Sequence, residues 1–396
     1  MIVTTRPLFL HPPRTILVVC TRRIGDVLLT TPLVRSLKAQ WPDAQIDMLV
    51  FRGTEGVLEH NPDIRRVIVV AQRARMGERL ADAARIWRRY DLACAAIPSD
   101  RARFYTWFAG RKRVGLLDWT RVTRFARFML NRFAINDDRV AHTVTSVLAL
   151  ADVVGVAPVG QVVAPGIGDD PASRARFDAR FDNVPGISRE QPLVVLHPYP
   201  MYTYKQWRVE GWAETIAWLR AQGFAVALTG GPAPAEQAYA RQVVEAAGEP
   251  VLNLVGQLTL GETAETIRRA KLYIGPDTGV THIAAACGTP TLALFGPSNP
   301  VRWGPWPDRW PAGDAPWPLQ GSGRRGNVYL LQGEGACVPC KLEGCDRYVD
   351  SFSECLTGLE TRRVIAAAAD LLGIAEAPRA AAATPIDVSA LERRAR

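Results

Sequence analysis

Gly275-Pro276-Asp277-Thr278-Gly279-Val280-Thr281-His282, an alanine-rich run to Cys287-Gly288, and then Pro290-Thr291-Leu292-Ala293-Leu294-Phe295-Gly296-Pro297 decide how this chain folds. The stretch reads as the end of a strand, a polar turn, a helix start, a glycine stop, a second strand and a glycine-proline loop. The Asp-Thr-Gly turn brings a carboxylate, a hydroxyl and an unobstructed backbone to a helix N-terminus. Orphan N–H groups and the positive end of the helix dipole meet there, which suits a phosphate. His282 lies four residues after Thr278, on the same face one turn along. A plainer reading stays open at this point: Thr278 as a structural cap and His282 as a satisfied polar residue.

Outward from this unit the alternation recurs. In the first half, apolar runs at 16–20, 46–50, 67–70 and 92–97 read as strands, with helical spacing at 27–39, 78–89 and 142–154. In the second, strands are expected at 193–197, 224–229, 251–254, 272–274 and 291–295, the last clear one, with helices at 209–221, 235–247 and 263–269. Strands alternating with helices argue for parallel sheets covered on both faces. A length of 396 residues exceeds the roughly 250–300 at which one core stops growing, so two domains are expected. The division falls where proline, glycine, aspartate and arginine blur the periodicity: an N-terminal domain over 1–165, a linker over 166–190, a C-terminal domain over 191–375 and a disordered tail over 376–396. Two doubly wound domains in succession leave a cleft between two rows of strand carboxyl ends, the usual ligand position in such sheets. Residues 297–318 hold seven prolines and four tryptophans and read as a structured loop, followed by a glycine-arginine segment at 321–326. An amphipathic helix at 359–372 is stopped by Gly373.

Composition excludes some classes. Hydrophobic residues make up 48% and charged residues 22% of the chain, and no apolar run reaches the ~18 residues of a membrane span. The first nine residues lack the pattern of a signal peptide, so a cytoplasmic protein is expected. A formal charge of +9 favours anionic partners. Between Arg101 and Arg132 stand nine basic residues and one acid, Asp118, interleaved with Phe104, Tyr105, Trp107, Phe108, Trp119, Phe125 and Phe128. Such a segment fits either an interfacial membrane contact or solvated faces over core aromatics. No nucleic-acid-binding motif accompanies it, and nucleic acid is not an expected partner.

Three further clusters carry chemistry. Gly25-Asp26 follows the first strand, so Asp26 projects from the sheet's carboxyl edge into the expected cleft, as a functional carboxylate or as a helix cap. His197-Pro198 ends the first strand of the second half and precedes Thr203-Tyr204-Lys205-Gln206-Trp207. A lysine there can neutralise charge on a leaving diphosphate, and Thr203 can add a phosphate hydrogen bond. Glu236, after Gly230-Gly231-Pro232, is a weaker nucleoside contact, since helix starts often carry glutamate for dipole reasons. Four cysteines, Cys337, Cys340, Cys345 and Cys355, fall in one window. A structural zinc, free thiols and redox-linked pairs all stay open for them.

The Asp277–His282 motif, the Asp26 segment, the lysine two residues before Trp207 and the Phe295–Pro297 loop together resemble glycosyltransferase family 9, the heptosyltransferase family. The resemblance implies an α/β fold of GT-B type, two Rossmann-like doubly wound domains facing across a cleft. It implies an inverting transfer that needs no cofactor for catalysis. Asp26 is then the general base and Lys205 the cation at the leaving group. Thr203, Glu236, Asp277, Thr278, Gly279 and His282 are then donor-binding. The implied donor is ADP-heptose, and the implied acceptor is the lipopolysaccharide core, or a related anionic glycolipid or saccharide, reached at the inner-membrane surface. Two alternatives are another nucleotide-sugar for a different surface glycan, and a non-catalytic nucleotide-binding scaffold.

Overall fold

The computed structural model describes residues 8–182, 185–188 and 190–374. The tail expected over 376–396 lies outside them, as do residues 1–7 and parts of the expected linker. The first sheet is built from β1 (Thr15–Cys20), β2 (Gln45–Phe51), β3 (Arg66–Val70), β4 (Tyr90–Ala95), β5 (Gly110–Asp118) and β6 (Arg132–Asn136). Its order is β3-β2-β1-β4-β5-β6, with every neighbour parallel. Ile16 through Cys20 are wholly buried, as a strand covered by helices on both faces requires.

The second sheet comprises β7 (Leu193–Leu196), β8 (Ala225–Leu228), β9 (Leu252–Asn253), β10 (Leu272–Pro276), β11 (Thr291–Phe295), β12 (Gly323–Arg325) and β13 (Val328–Gln332), ordered β12-β13-β11-β10-β7-β8-β9. Leaving aside β12, which pairs antiparallel to β13, its winding repeats that of the first sheet. The order reverses between β1 and β4 and between β7 and β10, so each half has a switch-point crevice at its strand carboxyl ends. Asp26 follows β1, Lys205 follows β7 and Asp277 follows β10.

Several expected elements are redrawn. The helix expected at 27–39 is two helices, Ile24–Leu28 and Thr31–Gln40. Pro32 has no N–H to give the Leu28 carbonyl; the Thr31 hydroxyl donates to that carbonyl instead, at 2.7 Å. The basic-aromatic segment contains the helix Asp100–Ala109, the strand β5 and the short helix Arg124–Phe128. Tyr105 there is core, whereas Trp119, Phe125 and Phe128 are exposed. The last strand is β13, not β11, and the glycine-arginine segment forms the hairpin strand β12.

The two halves are packed together. The largest apolar cluster runs from β1 and β4 of the first half to Tyr273, Ile283, Ala284 and Trp306 of the second. The proline-tryptophan loop is a strap across that junction. It starts with the helix Pro300–Trp303 and buries Trp306 and Trp317. The Gly304 carbonyl meets His142 Nε2 at 2.8 Å, and the Thr143 hydroxyl donates to the Arg302 carbonyl at 3.1 Å.

Candidate functional site

Asp26 sits in the first turn of the helix Ile24–Leu28 and is 5% exposed. Burial raises its pKa above the ordinary carboxylate range, opposed by Arg22, Arg302 and Arg23. Arg22 is nearest, its Nη1 3.5 Å from Asp26 Oδ1, one turn back. A small cavity of about 20 Å³ opens beside the pair, walled by Pro98, Asn136 and Asp138 of the first half and by Arg302 and Trp303 of the second. Arg302 forms an ion pair with Asp138 across the junction.

Facing this turn is the start of the helix Gly279–Ala286. Thr278 is its N-cap: its Oγ1 accepts from the Thr281 N–H, so the structural reading of that hydroxyl holds at its acceptor side. A Cβ on Gly279 would lie 3.3 Å from Ile24 Cγ2 and 3.5 Å from Gly25 N, and one on Gly25 would lie 3.5 Å from His282 Cδ2. The approach is tight at Gly279, where a side chain would press on Ile24, whereas at Gly25 a Cβ would make an ordinary contact. Asp277 and Lys205 are joined at 2.5 Å, both largely buried. Burial opposes each charge, yet the pairing wins: Lys205 is held above the usual lysine value and Asp277, with His282 and Ser298 adding to the effect, below the carboxylate range. His282 is buried, its pKa pushed down to about 4 by burial, and its Nδ1 has no hydrogen-bond partner among the described residues. The imidazole is therefore neutral at pH 7.

The structure thus brings together Asp26, Lys205, Asp277, Thr278, Gly279 and His282. Thr203 lies in the same short turn as Lys205, Thr203–Lys205. Glu236 is bound into its own loop, where its carboxylate accepts the Gly231 N–H at 2.5 Å; burial raises its pKa against that bond. It fixes the glycine loop and makes no hydrogen bond to the other six. Of the three readings left open for Cys337, Cys340, Cys345 and Cys355, the structure shows free thiols. The Cys355 thiol is pushed up to about 12 by burial and by the other three sulfurs, so the four are neighbours. All are free thiols, Cys337 and Cys345 are exposed, and the Cys345 sulfur accepts the Glu354 N–H at 3.4 Å. Among the described residues no three His, Cys, Asp or Glu side chains converge to hold a metal ion. Of the remaining thiols, Cys20 and Cys94 are buried and Cys287 is partly so.

Sequence reasoning missed Arg22, Arg302, Ser298 and Tyr202. Arg23 lies over the Tyr202 ring, 4.9 Å from its centre, across the junction. The signal for Arg302 was its place just beyond the carboxyl end of β11, where a doubly wound sheet gathers ligand contacts.

Four similarities bear on this geometry. The family model described as glycosyltransferase family 9 (heptosyltransferase) matches residues 87–312. Lipopolysaccharide heptosyltransferase 3 of Escherichia coli is 28% identical over 331 residues, covering 77% of this chain and 92% of that protein. Lipopolysaccharide heptosyltransferase 1 of Pseudomonas aeruginosa is 30% identical over 305 residues, covering 72% and 79%. In three dimensions, the E. coli ADP-heptose lps heptosyltransferase II superposes with a TM-score of 0.69 at 21% identity, over 90% of this chain and 98% of that one, which establishes a shared fold.

Proposed function

As a member of glycosyltransferase family 9, the heptosyltransferase family, the chain is a glycosyltransferase, and we propose that it moves a heptose from ADP-heptose to an inner-core saccharide of lipopolysaccharide. The transfer inverts the anomeric centre and uses no metal ion. The observation that carries this reading is the contact between the Asp26 turn and the start of the helix Gly279–Ala286, which sets a buried carboxylate opposite a cation and a helix N-terminus. The lipopolysaccharide heptosyltransferases among its relatives support the donor and acceptor classes. That acceptor sets the working place of the enzyme at the cytoplasmic face of the inner membrane.

In a single displacement the acceptor oxygen attacks the anomeric carbon, Asp26 takes the proton of that hydroxyl, and the bond from the anomeric carbon to the β-phosphate oxygen breaks to release ADP. The raised pKa of Asp26 makes it the stronger base, while Arg22 favours its ionised form. Charge gathering on the diphosphate meets Lys205, the Thr278 hydroxyl and the orphan N–H groups at Gly279. Asp277 holds the Lys205 ammonium in place until the donor arrives. The unpartnered Nδ1 of neutral His282 is left for a donor phosphate or sugar hydroxyl. Thr203 adds a phosphate contact, and Glu236 shapes the loop that receives the nucleoside.

The test is transfer itself: the purified chain, a panel of nucleotide-sugars including ADP-heptose, and an inner-core acceptor, read by mass spectrometry as the gain of one heptose. Transfer solely from another nucleotide-sugar would replace the donor. Tight ADP binding without turnover on any donor would leave a binding protein. With the donor established, Asp26→Asn should still show an ADP-induced thermal shift but lose about 10²–10⁴ in kcat; full activity in that variant removes Asp26 as the base.

A further inference from the structure

The short helix Arg124–Phe128 inverts the usual rule of burial. Ala126 packs inward with Leu117 and Leu130, while Phe125 and Phe128, three residues apart and so on one face, are 70% and 73% exposed. In water this wastes two large apolar side chains to bury a methyl group. Around them Trp119 and Val122 in the preceding turn, and Val140 beyond β6, are exposed as well. From Trp119 to Met129 the chain carries three exposed arginines, Arg121, Arg124 and Arg127, and no acidic residue; Arg132, in β6, is instead turned to the Val153 carbonyl, to which it donates at 3.0 Å. Arg139 lies 3.6 Å over the Trp119 ring, its own charge paired with Asp137 at 2.7 Å, so among the described residues the free cations of the patch are those of its exposed turn and helix.

The position of this patch is also informative. Asn136 ends β6 and, with Asp138, lines the cavity beside Asp26. The Trp119 N–H donates to the Asn136 carbonyl at 3.1 Å, so the exposed turn and the cavity rim are joined by a backbone hydrogen bond. Charge decides what covers the patch. A second copy of a chain with a net charge of +9 brings like charge to these arginines, whereas a bilayer rich in anionic phospholipid brings the opposite charge together with an apolar boundary layer.

We propose that the Trp119–Phe128 surface docks on an anionic phospholipid bilayer, with Phe125 and Phe128 entering the acyl boundary, the arginines on lipid phosphates, and the Asp26 cavity held at headgroup level. This deepens the reading of a lipid-borne acceptor and rests on it for its purpose, but bilayer binding is measured without any sugar transfer. The experiment is flotation of the full chain with vesicles of phosphatidylcholine containing one-third phosphatidylglycerol, and with vesicles of phosphatidylcholine alone. The chain floats with the first and far less with the second. The pair Phe125→Ser and Phe128→Ser, and separately Arg124→Glu and Arg127→Glu, each lower the bound fraction about tenfold or more. Both keep the ADP-induced thermal shift and the turnover of a delipidated, water-soluble acceptor. A matched charge reversal at the exposed Arg241 and Arg325 leaves vesicle binding unchanged. A wild-type chain that stays unbound with phosphatidylglycerol present overturns the proposal. So does a phenylalanine-pair variant that floats as well as wild type, or a patch that proves to join two copies in solution. Vesicle binding that follows these variants in a chain without transferase activity would uphold the surface and reject the function.

Discussion

At the scale of single residues, two buried carboxylates are pushed in opposite directions. Asp26 has its pKa raised because burial outweighs its arginines; Asp277 has its pKa lowered because Lys205 outweighs burial. A raised Asp26 takes up a proton on acidification and can then no longer accept one, so kcat/KM should fall on the acid side at a pH above the usual carboxylate range. Arg22 holds that pKa down; Arg22→Gln should therefore move the acid limb to higher pH. A pH–rate profile reads this directly, and an unmoved limb would assign it to some other group. Lys205→Met leaves Asp277 as a buried charge without its partner and should cost about 3–5 kcal/mol in denaturant unfolding. The sign with pH follows from linkage. A carboxylate with a depressed folded pKa contributes stability above its unfolded value of about 4, and loses it as pH falls through the folded value. The deficit of Lys205→Met should therefore shrink at low pH. Adding Asp277→Asn should recover much of the stability at pH 7 without recovering activity.

At the scale of elements, the strap from Pro300 to Trp317 decides how the base side of the site is completed. It carries Arg302 into the Asp26 cavity and is pinned by Gly304, where a Cβ would fall 2.2 Å from Trp317 Cδ1 and 2.7 Å from the Pro300 carbonyl oxygen. Gly304→Ala should displace Trp317 and loosen the His142 and Asp138 contacts. The expected cost is about 1–3 kcal/mol of stability, with a larger rise in acceptor KM than in donor KM. Equal effects on both substrates would mean that the strap serves the fold alone. The strap also shows where sequence reading stops. The strand-helix alternation and the turns after β1, β7 and β10 are local patterns, and the residues they pointed to, Asp26, Lys205 and Asp277–His282, do meet. The Arg302–Asp138 pair joins residues 164 apart, and no local period encodes it. β5 and β6 were hidden for another reason. Arg111, Lys112 and Arg113 occupy the outward end of β5, so charge masks an apolar run that starts only at Val114. The cysteine window left its alternatives open because spacing along the chain does not fix how the sulfurs are arranged in space.

At the scale of the whole molecule, the halves share one apolar cluster, and their buried polar groups should tie stability of both to pH together. Three of the five histidines are buried and held neutral: His142 under the strap, with its pKa pushed to about 3, and His197 and His282, each pushed to about 4, all by burial. In the unfolded chain each titrates near 6.5. Their contribution is therefore complete above that value and is lost as pH falls toward the folded values. Each unfilled proton contributes about 1.4 kcal/mol per pH unit, so three give a slope of about 4 kcal/mol per unit between pH ~6 and ~4. Asp26 acts in the opposite sense, since its raised pKa lets the folded state bind a proton earlier than the unfolded chain does. Urea unfolding over a pH series should thus show a net slope somewhat below three protons. His142→Gln keeps a donor for the Gly304 carbonyl and should reduce that slope by close to one proton, at a modest cost at pH 7. A slope unchanged in that variant would mean that His142 is already charged in the folded protein, and that the strap is held by an imidazolium rather than by a neutral ring.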